Sequence, residues 1–164
     1  MKKIRKICSV VIIILIVFLI IVYFLKSDLQ NGRGEIMKLA IFPEGTTRES
    51  YLFEIEEGGI LQSYMGTRKN DDIIRKKFYS KIEENQEKIL EHDELEKLIM
   101  MAEKIKTNND LLEKPIVFDA WNIILLYDGQ IYKAIYDSST GDLREIVDEF
   151  IRISPLQVDL HGWS

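Results

Sequence analysis

Apolar and polar positions along this chain follow three rhythms, and each predicts a different kind of element. From Ile7 to Leu25 run nineteen residues without a charge, sixteen of them Leu, Ile, Val or Phe. As a helix rising about 1.5 Å per residue the run is about 28 Å long, close to the hydrocarbon thickness of a bilayer. Insertion favourable by about 0.3 to 0.6 kcal/mol for each of these residues sums to roughly 5 to 10 kcal/mol. The pattern therefore predicts a transmembrane helix over 7–25, a short tail over 1–6, a polar linker over 26–35 that contains Asn31-Gly32-Arg33-Gly34, and one further domain over 36–164.

After the linker the rhythm shortens to two. Met37–Phe42 predicts a strand, stopped by Pro43-Glu44-Gly45. Tyr51, Phe53 and Ile55 alternate with Leu52, Glu54 and Glu56, a half-buried strand expected to turn both carboxylates to water. Gly58-Gly59 supplies the positive φ angles of a tight hairpin, and Ile60–Gly66 returns as its partner. Thr67–Arg75 is polar and predicts a loop, followed by Lys76-Lys77. Over Phe78–Leu90 two readings stay open: Phe78, Ile82 and Ile89 fit a helix face, while Lys88-Ile89-Leu90 fits an edge strand. Trp121–Tyr127 is apolar at nearly every position, as in a strand buried on both faces, and Asp128-Gly129 predicts a type I′ turn into Ile131–Tyr136. These two strands are expected near the centre of the sheet.

The third rhythm has a period of three to four. Asp93 and Glu96 form a D-x-x-E start, and Leu95, Leu98, Ile99, Ala102 and Ile105 follow on one stripe that ends at Thr107-Asn108-Asn109-Asp110. A second D-x-x-E, Asp142 to Glu145, opens a stripe of Leu143, Ile146, Val147, Phe150 and Ile151, and Pro155 ends it. Leu156, Val158 and Leu160 then alternate with polar residues in a tail expected to add an edge strand or to pack across the sheet. Each helix has one apolar stripe for one sheet face to cover, so the predicted fold class is α+β: a transmembrane helix, then one domain with an antiparallel sheet packed against two amphipathic helices.

Charge gives the span a direction. Lys2, Lys3, Arg5 and Lys6 precede it and only Lys26 follows at once, so the N-terminus is expected in the cytoplasm of a plasma-membrane protein and the domain outside. A cleaved signal peptide is the rival reading, but Tyr23-Phe24-Leu25-Lys26 offers no small-residue cleavage site. The formal charge of the chain is −5, and the five basic residues flanking the span contribute +5, so the outer domain carries −10. Such a surface repels phosphate backbones and excludes nucleic acid as an expected partner. It suits cationic peptides, cell-wall polymers or simple solubility. Cys8, the only cysteine, lies at the cytoplasmic start of the span, where it reads as a small apolar residue or a palmitoylation site. Disulfides and thiolate metal sites are thereby excluded from the outer domain, and no cofactor or metal is expected.

Motifs for a serine nucleophile elbow, a phosphate-binding loop, a dinucleotide fold and a zinc protease are absent. The candidate catalytic residues are weak: His161 shares an extended face with Asp159, and a carboxylate such as Glu54 would complete a hydrolase site. His161 alone reads as structural or exposed, as does His92 between Glu91 and Asp93. Glu54, Glu56 and Glu57 read first as a wet surface row, and Asp119 as a turn residue. Tyr127, Tyr132, Tyr136 and Trp163 are candidate binding residues whose plainer role is core and tail packing.

At Asp119-Ala120-Trp121, Leu126-Tyr127-Asp128-Gly129-Gln130 and Ser154-Pro155-Leu156-Gln157-Val158-Asp159-Leu160-His161-Gly162-Trp163-Ser164, the chain resembles small membrane-anchored or secreted domains of unknown function from clostridia and related Gram-positive bacteria. The resemblance implies a bacterial plasma-membrane address and brings no catalytic residues with it. The expected function is a non-enzymatic binding or interaction module at the cell surface, of immunity or inhibitor type in one form, with a protein, peptide or cell-wall partner. The alternatives are a carboxylate and histidine hydrolase of the envelope and a structural subunit of a membrane complex.

Overall fold

The computed structural model describes residues 34–74, 78–108, 120–136 and 141–160. The expected span over 7–25 and the linker up to residue 33 lie outside them, and no helix among the described residues is long and apolar enough to cross a membrane. The strands are β1 (Glu35–Pro43), β2 (Ser50–Glu56), β3 (Ile60–Arg68), β4 (Tyr79–Ile89), β5 (Trp121–Tyr127) and β6 (Gln130–Ile135). Helix α1 (His92–Thr107) joins β4 to β5, and α2 (Asp142–Ile153) follows β6. All strand pairs are antiparallel in the order β4-β3-β2-β1-β5-β6. The fold is α+β, as the pattern predicts.

Turn chemistry sets the hairpins. Asp128 and Gly129 have φ of 48° and 72°, the double positive φ that a two-residue hairpin matched to strand twist requires, while Gly58 and Gly59, at 92° and 77°, close a three-residue connection in which Glu56 pairs with Ile60. The β5–β6 hairpin is less central than its composition predicts, because β1 pairs with both β2 and β5 and leaves β6 as an edge. At the other edge, Phe78–Leu90 resolves as strand rather than helix. The register between β3 and β4 shifts twice, between Met65 and Gly66 and between Thr67 and Arg68, along the eleven residues of β4.

Both helices and the tail cover one face, here called the front. Met37, Leu39 and Ile41 of β1, Phe53 and Ile55 of β2, and Ile123 and Leu125 of β5 point into it and meet Leu98, Ala102 and Ile105 of α1 and Leu143, Ile146, Val147 and Phe150 of α2. The start of α1 lies two residues ahead of the expected D-x-x-E: Glu91 caps it in a capping box with Glu94, and Asp93 is inside the first turn. Helix α2 begins at the expected Asp142, whose carboxylate accepts bonds from Lys104 Nζ at 3.0 Å and Asn108 Nδ2 at 2.7 Å. That pairing places an acid at one helix N-terminus and a base at the other's C-terminus, as both dipoles favour. Over 156–160 the tail forms no strand; Leu156 is buried, and the Tyr51 hydroxyl donates to the Asp159 carbonyl at 3.4 Å and accepts from its N–H at 3.3 Å.

The opposite face is not the wet surface that alternation predicts. The segment after β3 turns back over it and buries Ile73 and Phe78 against Ala40, Phe42, Leu52 and Ile124. Phe78 meets Phe42 edge-on at 6.1 Å, and the Arg68 guanidinium lies 4.3 Å over the same Phe42 ring. Arg68 also bonds the Pro43 carbonyl at 3.2 Å and the Asp71 carboxylate, which pins the base of this segment.

Candidate functional site

Residues that face each other across a sheet share a side, so the register maps the back face directly. Glu87, Gln62, Glu54 and Lys38 form one row across β4, β3, β2 and β1, and Asn85, Tyr64, Leu52 and Ala40 form the next. Between these rows and the start of β4 lies a groove of about 460 Å³. Leu52, Ile73 and Phe78 make its apolar side, Glu54, Glu56 and Tyr64 its polar side, and Ile82 of β4 stands at the rim, half-exposed.

The groove is organised by a buried cation beside it. Lys38 is 3 % exposed, and its Nζ lies 2.5 Å from Glu35 Oε1, 3.1 Å from Glu54 Oε1 and 3.3 Å from the Ile73 carbonyl that accepts its hydrogen bond. A buried lysine needs such company, since an unpaired charge there is costly. With two carboxylates on one ammonium these three described residues carry one excess negative charge. Glu54 is therefore not the freely hydrated surface carboxylate that alternation predicts: its side chain is only 23 % exposed and fixed in direction.

Two tyrosines complete the site. The Tyr79 hydroxyl is shared between the Ser50 and Tyr64 carbonyls, each at 3.0 Å, and burial pushes its pKa well above the ordinary phenol value, with Glu54 adding to the effect. Tyr64 is also raised, first by burial and then by Glu54, Glu56 and Glu87. Its hydroxyl enters no hydrogen bond among the described residues, so a donor stands beside the carboxylates in a field of negative potential.

A second cavity of about 530 Å³ opens at one end of the sheet between Glu35, Lys38, Glu103, Tyr127 and Asp128. Its polar groups are engaged with each other: the Tyr127 hydroxyl donates to Glu103 at 2.7 Å, and Asp128 pairs with Lys106 at 2.5 Å. Burial, then the Glu103 bond, pushes Tyr127 up to about 12. The back-face groove is the better candidate because it leaves polar atoms facing an apolar wall.

The residues singled out from sequence do not meet. Glu54 lies on the back face, whereas the 156–160 tail that carries Asp159 packs on the front against Tyr51. His161, Trp163 and Asp119 fall outside the described residues. His92 is the exposed first residue of α1, 3.9 Å from Glu96. Tyr132 is buried and bonds Gln130 at 2.6 Å. Tyr136 lies under the Arg144 guanidinium at 3.6 Å and donates to Asp148 at 3.0 Å, so it ties β6 to α2. All three tyrosines thus lie in or against the helix-covered front core, with each hydroxyl bonded to a neighbouring side chain. Tyr64, Ile73 and Phe78 were not read as site residues because only tertiary folding brings them together; the sequence signal for them is two short apolar pairs, Ile73-Ile74 and Phe78-Tyr79, on either side of Arg75-Lys76-Lys77.

No protein-family model matches the sequence, and neither the curated proteins nor the solved structures give a significant match.

Proposed function

We propose that this protein is a non-enzymatic binding module held at the outer face of a bacterial plasma membrane by an uncleaved N-terminal helix, and that the back-face groove is where it engages its partner. The observation that supports it best is the groove itself, a concave apolar wall beside a fixed, partly desolvated carboxylate and an uncommitted hydroxyl. That composition, largely apolar with a few convergent polar groups, is typical of sites that bind. Membrane attachment rests on the nineteen-residue apolar run and on the basic residues before it. A protein built this way can intercept an agent that reaches the membrane, as an immunity or inhibitor protein does.

Deleting the gene and exposing the cells to secreted cationic peptides and wall-active enzymes tests the reading. Increased sensitivity to at least one class, restored by the full chain and not by a version lacking residues 1–27, is expected. An unchanged profile contradicts the protective role.

A further inference from the structure

We propose that β4 is an interaction edge whose partner is a second copy of this chain, the two β4 strands pairing antiparallel about a two-fold axis at Gln86. The pairing goes beyond the binding-module reading and does not depend on the back-face groove.

Strand β4 pairs with β3 along one side, and no described strand lies along the other. The outer side of its eleven residues therefore presents backbone N–H and C=O groups on which another strand can add. Side chains 80–87 and Ile89 are exposed, and the large apolar ones among them are Ile82, 50 % exposed, and Ile89, 73 % exposed. Charges and bulges commonly keep an edge from pairing. On β4 both are arranged so that the strand complements itself.

A two-fold axis normal to the sheet keeps every side chain on its own side, and residues equidistant from the axis face each other. Pairing with β3 assigns the sides: Glu84, Gln86 and Lys88 share the front with Met65, and Ile82, Asn85, Glu87 and Ile89 share the back with Tyr64. With the axis at Gln86, Glu84 of each copy faces Lys88 of the other on the front, and Asn85 faces Glu87 on the back. Lys88 also holds Glu94 at 2.9 Å, and its ammonium has donors for both carboxylates. Glu83 is the extra residue where the register with β3 shifts, so the next place outward on the back belongs to Ile82, which faces Ile89 of the other copy. Without that shift Ile82 would point to the front. An axis one residue earlier, at Asn85, sets Lys81 against Lys88, and an axis one residue later, at Glu87, sets that carboxylate against itself. Only the axis at Gln86 gives every charge from Glu84 to Lys88 an opposite charge or an amide, while an isoleucine pair leaves water at each end.

The test uses the full-length chain with Cys8→Ser in neutral detergent micelles, one new cysteine at a time, under mild oxidation. Residues directly opposite in an antiparallel pair have Cα atoms about 4.5 to 5.5 Å apart, within disulfide reach, whereas a residue one place from the axis lies roughly 8 Å from its own copy. Gln86→Cys is expected to give disulfide-linked dimer at least about tenfold faster than Glu87→Cys or, on exposed α1, Met100→Cys. Adding Ile89→Asp is expected to slow the Gln86→Cys link at least about tenfold, and adding Met100→Asp to leave it unchanged. These positions are all exposed, so the fold tolerates the substitutions. No link at Gln86→Cys, a link at Glu87→Cys or Met100→Cys as fast as there, or equal slowing by both aspartates overturns the pairing. Those outcomes leave the binding-module reading intact, because it stands or falls on the deletion phenotype.

Discussion

Gly66 has no side chain because β4 leaves no room for one. A Cβ there would lie 2.3 Å from the Lys81 carbonyl oxygen and 3.0 Å from the Ile82 Cα, both backbone atoms that cannot swing aside. Gly66→Ala is therefore expected to cost about 1 to 3 kcal/mol and to speed amide exchange in β4 more than in β1; urea melts and exchange rates read both. Glu149 makes a second prediction. Arg152, bonded at 2.7 and 3.0 Å, chiefly lowers its pKa to about 2, Lys97 at 2.8 Å adds to the shift, and burial opposes it. A folded value below the ordinary 4.5 means the pairing stabilises fully above that pH and is lost as pH falls from 4.5 toward 2. The whole shift would correspond to about 3 kcal/mol, and screening at the half-exposed Lys97 and Arg152 reduces it to roughly 1 kcal/mol. The melting-temperature gap between the native chain and Glu149→Gln is expected to close as the buffer is taken from pH 6 to pH 3. Neither residue stands out in the sequence. Gly66 looks like a strand end, and Glu149 is one acid among many, because each owes its role to atoms distant along the chain.

Among the elements, legibility followed the strength of the local pattern. The stripe of α2 and the Gly58-Gly59 and Asp128-Gly129 turns carry their own instructions, and they stand where the residues place them. Strand β4 does not. Its residues Tyr79–Ile89 are mostly polar or charged with few apolar positions, so pairing with β3 decides its conformation. The front core behaves as burial dictates. Phe150, fully buried and 5.8 Å from Phe53, is expected to cost about 3 to 5 kcal/mol as Phe150→Ala. Met100→Ala, on the exposed side of α1, is expected to stay within about 0.5 kcal/mol. Chemical denaturation of the two variants checks the contrast. A similar loss in both would mean that α1 and α2 do not share the load as their packing implies.

At the scale of the molecule, sequence and structure inform different halves. The apolar run and its basic flank speak to location, while the described domain supplies a covered sheet with a carboxylate-edged groove. Alternation along β2 turns Glu54 away from the front core, as read from sequence, but it cannot reveal that residues twenty positions later return to roof that face. Whether the groove faces outward across a membrane is settled by labelling intact cells. A chain carrying Cys8→Ser and Glu57→Cys has its one thiol in the exposed β2–β3 turn. A membrane-impermeant maleimide is expected to modify it in intact cells as fully as in lysed ones, with the protein in the membrane fraction. Labelling only after lysis, or recovery of the full chain in the soluble fraction, would contradict the assignment of this domain to the outer surface.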